Sequence, residues 1–150
     1  MGIRIEARGA DRISKEFAQM PAALQRRFTI AMRASLRDVQ EEARHHHRFT
    51  TRTGEAERSI EVSDVRATAA TVSGEVGTTR LITVYLHQGW RAHTIVPRHK
   101  LALRWVSKHG GFVFARRARI PARKEDPFIY NAMDSQEEKI VSRFDKAIEG

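Results

Sequence analysis

Apolar and polar positions alternate at the start of the chain. Ile3, Ile5 and Ala7 are interleaved with Arg4, Glu6 and Arg8, the period of a half-buried strand ended by Gly9. The period then changes. Ile13, Phe17 and Met20 fall at helical spacing with Asp11 placed to cap them, and Pro21 restarts the chain in a position suited to a first helical turn. From about Pro21 to Arg48, Leu24, Phe28, Ala31, Ser35, Val39 and Ala43 recur at steps of three and four, with Met32 and Leu36 beside them. The other side carries Arg26, Arg27, Arg33, Arg37, Asp38, Glu41 and Glu42. This pattern predicts one amphipathic helix of about 28 residues, roughly 40 Å long.

Beyond the break at "TTRTG", "AERSIEVSDVRA" and "TVSGEVGT" predict two short strands joined by a polar turn near Thr68 to Ala70. In "RLITVYLHQG", Leu81, Ile82, Tyr85 and Leu86 fit the apolar face of a helix stopped by Gly89. "RAHTIVP", "LALRWV" and "FVFARRA" are three more strand-like runs, and the Gly110–Gly111 pair is a hairpin turn. Pro127 opens a last helix to about Ile148, with Phe128, Ala132, Met133, Ile140, Val141, Phe144 and Ile148 as its apolar side. Strands and helices do not alternate regularly. The expected class is α+β, a mainly antiparallel sheet packed with a long helix and a C-terminal helix, in one domain over residues 1–150.

Composition narrows what such a domain does. At 150 residues and 41% hydrophobic content the chain can bury a core, and the absence of cysteine removes disulfides, thiolate metal sites and a cysteine nucleophile. No apolar run approaches the roughly 20 residues of a membrane helix. The charged start is not a secretory signal, and Glu6 stands where a myristoylation signal needs Ser or Thr, so a soluble protein of a cytoplasm is expected, with no membrane partner. The 27 Lys and Arg against 18 Asp and Glu give a net charge of +9. Arg91, Arg98, Lys100, Arg104, Lys108, Arg116, Arg117, Arg119, Arg123 and Lys124 fall in a span without a single acid. Such a run suits a phosphate-facing surface but specifies no base readout.

Catalytic chemistry finds little purchase. Consecutive His45, His46 and His47 point about 100° apart on a helix and cannot converge on one ion. They read as surface imidazoles at a helix C-terminus, Glu41 with His45 and Glu42 with His46 being pairs at i,i+4. His87, His93, His99 and His109 have no carboxylate among them, so a nuclease metal site would have to borrow Glu75 or Asp126. No Gly-x-Ser-x-Gly elbow occurs, and "SGEVG" is no phosphate loop. No metal, no cofactor and no enzyme activity are expected. Trp105, sharing a strand face with Leu101 and Leu103, and the pair Phe112 and Phe114 read as core, whereas Trp90 in its turn is less committed.

Motif order adds a resemblance. "AMRASLRDVQEEAR" precedes a Thr-Gly-x-x-x-x-Ser-Ile landmark at Thr53, Gly54, Ser59 and Ile60. There follow a two-strand unit ending in "VGT", an element from Tyr85 to Gly89, Pro97 in "IVPRHKLALRW", and "PFIYNAM" with Pro127 and Phe128. Together these resemble the phage neck and tail-completion proteins, the head–tail joining proteins of long-tailed phages, over about residues 3 to 148. Ala56 stands where the landmark usually has Leu, and "LHQGW" replaces a more usual acidic residue before the glycine.

The resemblance implies a structural virion protein. It would form a homo-oligomeric, six-fold ring at the head–tail junction, next to connector or head-completion proteins and the tail tube or tail terminator, assembled in the host cytoplasm. It also suggests a use for Arg98, Lys100, Arg104, Lys108, Arg116, Arg117, Arg119, Arg123 and Lys124, in a long β-hairpin that meets genomic DNA phosphates or an acidic partner. The two helices are expected to pack on the sheet, leaving loops for ring contacts. The alternative is a basic nucleic-acid-binding module without sequence preference.

Overall fold

A computed structural model of the chain describes the backbone of residues 2–8 and all of residues 21–149. The expected helix with Ile13, Phe17 and Met20, and its Asp11 cap, lie outside the described residues. The rest is α+β, with antiparallel strand pairs throughout. It divides into two compact units, residues 1–87 with 126–150, and residues 88–125.

The first unit centres on β4 (Thr71–Gly77). Strand β1 (Gly2–Arg8) pairs along its whole length on one side, from Gly2 opposite Gly77 to Arg8 opposite Thr71. On the other side lie β2 (Glu61–Val62) and β3 (Arg66–Ala67), two short pieces of an edge. The turn expected at Thr68 to Ala70 is there, with the Thr68 N–H donating to the Thr71 carbonyl. Alternation decides the buried face of β4: Val72, Gly74 and Val76 turn inward.

Helix α1 (Ala22–His45) covers that face and buries Ala31, Met32, Ser35, Leu36, Val39 and Ala43, the stripe its spacing predicts. At 24 residues it is shorter than expected, because the chain leaves helical geometry at His46. The last helix, α4 (Phe128–Glu149), packs mainly on α1 rather than on the sheet itself. Phe128, Ile129, Ala132 and Ile140 join Met32, Leu36, Val39, Ile60, Val72 and Val76 in one core, and the Phe28 and Phe144 rings meet edge to face at 5.4 Å. Ile129 was not among the expected core residues, and Val141 and Ile148, which were, lie exposed.

Two short helices complete the unit. α2 (Glu55–Arg58) follows the "TTRTG" break, and α3 (Leu81–Gln88) is the helix predicted there. Its orientation overturns most of the expected apolar face, although Leu86, half-buried, packs against the core as expected. Thr83 and His87 are the buried residues, while Leu81, Ile82 and Tyr85 are exposed. Among the described residues no helix is long and apolar enough to cross a membrane.

The second unit is one antiparallel ribbon. β5 (His93–Ile95) pairs with β8 (Ala118–Ile120), and β6 (Leu103–Val106) with β7 (Phe112–Ala115). A bridge between Trp90 and Arg123 closes its root, and the turn passes through Gly110 and Gly111, both at positive φ. The two ladders are out of step. Seven residues, Val96–Ala102, separate β5 from β6, while only Arg116 and Arg117 separate β7 from β8. The expected run "FVFARRA" covers β7 and reaches only Ala118 of β8, so β8 is a strand beyond those expected.

Candidate functional site

The residues of the Thr-Gly-x-x-x-x-Ser-Ile landmark are brought together as a structural joint. Gly54 sits at φ 67°, a left-handed conformation that costs most other residues about 1–2 kcal/mol, and this lets α2 begin directly after the break. The Thr53 hydroxyl accepts from the Glu55 N–H at 3.4 Å, and the Thr53 carbonyl accepts from the Arg58 guanidinium at 2.8 Å. Ile60 is fully buried in the core.

Ser59 is the hub. Its hydroxyl donates to the Ala56 carbonyl at 2.7 Å, which leaves its lone pairs for the hydroxyls of Thr78 at 3.0 Å and Thr83 at 2.8 Å. Thr78 in turn accepts from the Arg80 N–H. The end of α2, the end of β4 and the start of α3 are thereby tied at one point. Side chains of α1 hold the same segment from the other side: Gln40 and Arg44 both donate to the Ile60 carbonyl, and Arg44 also to that of Glu57.

The three histidines separate. His45 and His46 are exposed and pair with Glu41 and Glu42 at i,i+4, as expected. His47 is not at the surface. Its side chain is 9% exposed, stacks on Phe49 with ring centroids 3.7 Å apart, and lies 3.4 Å from Glu57. The Glu57 carboxyl is pushed up by burial but held below its ordinary range by the Thr51 hydroxyl, a backbone donor and the His47 and Arg58 charges. His87 lies among rings, 5.2 Å from Phe128 and 5.0 Å from Tyr130. Among the described residues no group of three or more His, Asp or Glu could hold a metal ion. Asp126, buried, accepts the Arg48 N–H at 2.6 Å. "SGEVG" forms the last five residues of β4.

Pro127 and Phe128 open α4: the Asn131 N–H donates to the Pro127 carbonyl, and the Phe128 ring is wholly buried. Gly89, at φ 71°, has no room for a side chain, since a Cβ there would lie 2.5 Å from the Arg123 carbonyl oxygen. Tyr85 is exposed on α3. These positions shape the chain.

The basic residues are gathered elsewhere. Residues 88–125 contain ten Lys and Arg and one acid, Glu125, while the rest of the chain holds seventeen of each sign. The ribbon therefore carries the whole net charge of +9. Arg98, Lys100, Arg104, Lys108, Arg116, Arg117, Arg119 and Lys124 are exposed, and Arg123 is half-buried at the root with its guanidinium 5.6 Å from the Trp90 ring. Trp90 is anchored by its indole N–H donating to the Pro121 carbonyl at 2.9 Å. Pro97, Arg98, Lys100, Leu103, Arg104 and Phe114 line an open depression beside the out-of-step segment.

The register assigns the faces of the outer ladder. Leu103, Trp105, Val113 and Ala115 share one side; Arg104, Val106, Phe112 and Phe114 share the other. Both phenylalanines were expected in the core. Instead Val106, Phe112 and Phe114 are 67%, 59% and 65% exposed, Trp105 is partly exposed, and Leu101 is almost entirely so. The Arg104 guanidinium lies 4.4 Å over the Phe112 ring, a cation–π contact that leaves its outer edge open. An apolar strip thus lies exposed beside cations that are themselves exposed.

No protein-family model, curated protein or solved structure matches the chain.

Proposed function

We propose that the chain is a structural subunit of a phage head–tail junction. It assembles with copies of itself into a ring, six-fold by resemblance, between the connector or head-completion proteins and the tail tube or tail terminator. DNA passes through that ring, and the chain works by contact rather than by catalysis. The observation that carries this reading is the ribbon. One inserted hairpin holds the entire net charge and exposes Val106, Phe112 and Phe114 beside Arg104, a surface suited to phosphates or to an acidic neighbour.

The landmark residues support it in a second way. Gly54, Ser59, Ile60, Gly89 and Phe128 all act on shape, through a left-handed joint, a hydroxyl hub, buried side chains and a close backbone approach. A motif that preserves shape suits a protein whose task is assembly. Exposed Leu81, Ile82 and Tyr85 on α3 add a further surface for neighbouring rings.

The test is mass spectrometry of gradient-purified particles made from the genome that encodes the chain. Detection at a few to a dozen copies per particle supports the reading, and absence from particles sinks it. A second reading, a basic module binding nucleic acid without sequence preference, is favoured by the ten cations alone. It predicts a monomer or dimer in free solution and an affinity for random duplex DNA that falls steeply with salt.

A further inference from the structure

Helix α4 has a second face, which the core does not use. Tyr130, Asp134, Glu137, Val141, Asp145 and Ile148 follow one another at steps of three and four, Glu138 lies beside Glu137, and all seven are exposed. Four carboxylates and three apolar side chains thus form a continuous stripe with no Lys or Arg in it. The helix turns its own cations away: Lys139 and Arg143 both reach Asp38 of α1, at 2.8 Å and 2.6 Å. Among the described residues none of the four carboxylates has a cationic partner.

The ribbon is the counterpart in both respects. Its cations find no carboxylate among the described residues, and its outer ladder exposes Val106, Phe112 and Phe114. We infer that the Arg104–Phe112–Phe114 face of the ribbon of one copy docks on the acidic stripe of α4 of the next copy. The ladder fits within the stripe: four residues of strand are about 13 Å long, and the stripe from Tyr130 to Ile148 runs about 27 Å. Tyr130, Val141 and Ile148 offer apolar contacts to the phenylalanines, while Asp134, Glu137, Glu138 and Asp145 face Arg98, Lys100, Arg104 and Lys108. The exposed apolar face of α3 is a poorer seat, because Leu81, Ile82 and Tyr85 have no carboxylate among them to meet the ribbon's charge.

The two surfaces are different patches of one chain, so the contact is heterologous, head to tail. It propagates from copy to copy and closes into a ring when the rotation per subunit allows. The inference gives the proposed ring its subunit contact and to that extent rests on the reading above.

The experiment is zero-length carbodiimide cross-linking of the full chain, mixed from isotope-labelled and unlabelled protein and read by mass spectrometry. Mixed-isotope links from Lys100 or Lys108 to Asp134, Glu137 or Glu138 are expected. Their absence, or links within single chains only, overturns the contact. In sedimentation, E137K/E138K and R98E/R104E each raise the half-association concentration at least tenfold, and a mixture of the two variants restores association. A chain that stays monomeric at every concentration overturns the inference. So does R98E/R104E protein that associates normally but no longer binds duplex DNA in fluorescence anisotropy, which would make nucleic acid the occupant. Because the readout is in solution, failure here leaves the junction reading standing, and absence from particles leaves the contact standing.

Discussion

The Ser59 hydroxyl lies 2.8 Å from that of Thr83, joining the end of α2 to the first buried residue of α3. Thr83 is wholly buried, so its hydroxyl needs this partner. Ser59→Ala leaves the buried Thr83 hydroxyl short of this partner in the interior. A loss of about 1–3 kcal/mol is expected, measured by urea unfolding. A change within a few tenths of a kcal/mol would remove Ser59 as the hub.

Gly89 sets the root of the ribbon. Gly89→Ala places a Cβ against the Arg123 carbonyl at an angle that L residues adopt with strain. The effect should be local. Amide exchange at Trp90 and Arg123, which bond each other at the bridge, is expected to quicken about tenfold or more, in line with the roughly 1–2 kcal/mol that conformation costs. Core amides of α1 should keep their protection.

Packing on α4 is one-sided, and two substitutions measure it. Phe128→Ala empties a fully buried site and should cost about 3–5 kcal/mol. Val141→Ser, on the exposed stripe, should change the stability of the isolated chain by less than about 0.5 kcal/mol. Equal losses would mean that the stripe is buried within the chain and unavailable to a partner.

Acid should weaken the α1–α4 contact. Burial pushes the Asp38 pKa up, but hydrogen bonds from Lys139 and Arg143 and their charges outweigh it, so the carboxyl titrates below its ordinary value of 3.8. A carboxyl with a lower pKa folded than unfolded contributes stability that is present above the unfolded value and lost as pH falls through the folded one. Glu57 acts in the same direction. Urea midpoints should therefore fall on acidification below about pH 4. Asp38→Asn should flatten part of that slope, and an unchanged slope would contradict the assignment.

Long periodic elements were legible in the sequence. The α1 stripe from Ala31 to Ala43 and the alternation of β4 each have one buried face, and their spacing identifies it. Short elements were not. In α3, eight residues give little periodicity, and the buried side was chosen by the hydrogen bond of Thr83 and the aromatic surroundings of His87. The ribbon's hairpin turn and its face-sharing were legible through Gly110–Gly111 and strand alternation. Alternation tells which side chains share a face and is silent on whether that face is covered, so Phe112 and Phe114 were misplaced in the core. His47 was misread for a similar reason, since nothing local signals that the chain bends back and stacks it on Phe49. The landmark glycine and serine were found by resemblance, and only the fold explains them as a left-handed joint and a hydroxyl hub.

The proposed place in the head–tail junction is best tested by cryo-electron microscopy of virions made from the genome that encodes this chain. That placement predicts a closed ring of this protein between connector and tail, with residues 88–125 of each subunit against α4 of its neighbour or facing the DNA channel. Virions whose head–tail junction lacks the chain, or a genome that yields no virions, would contradict it.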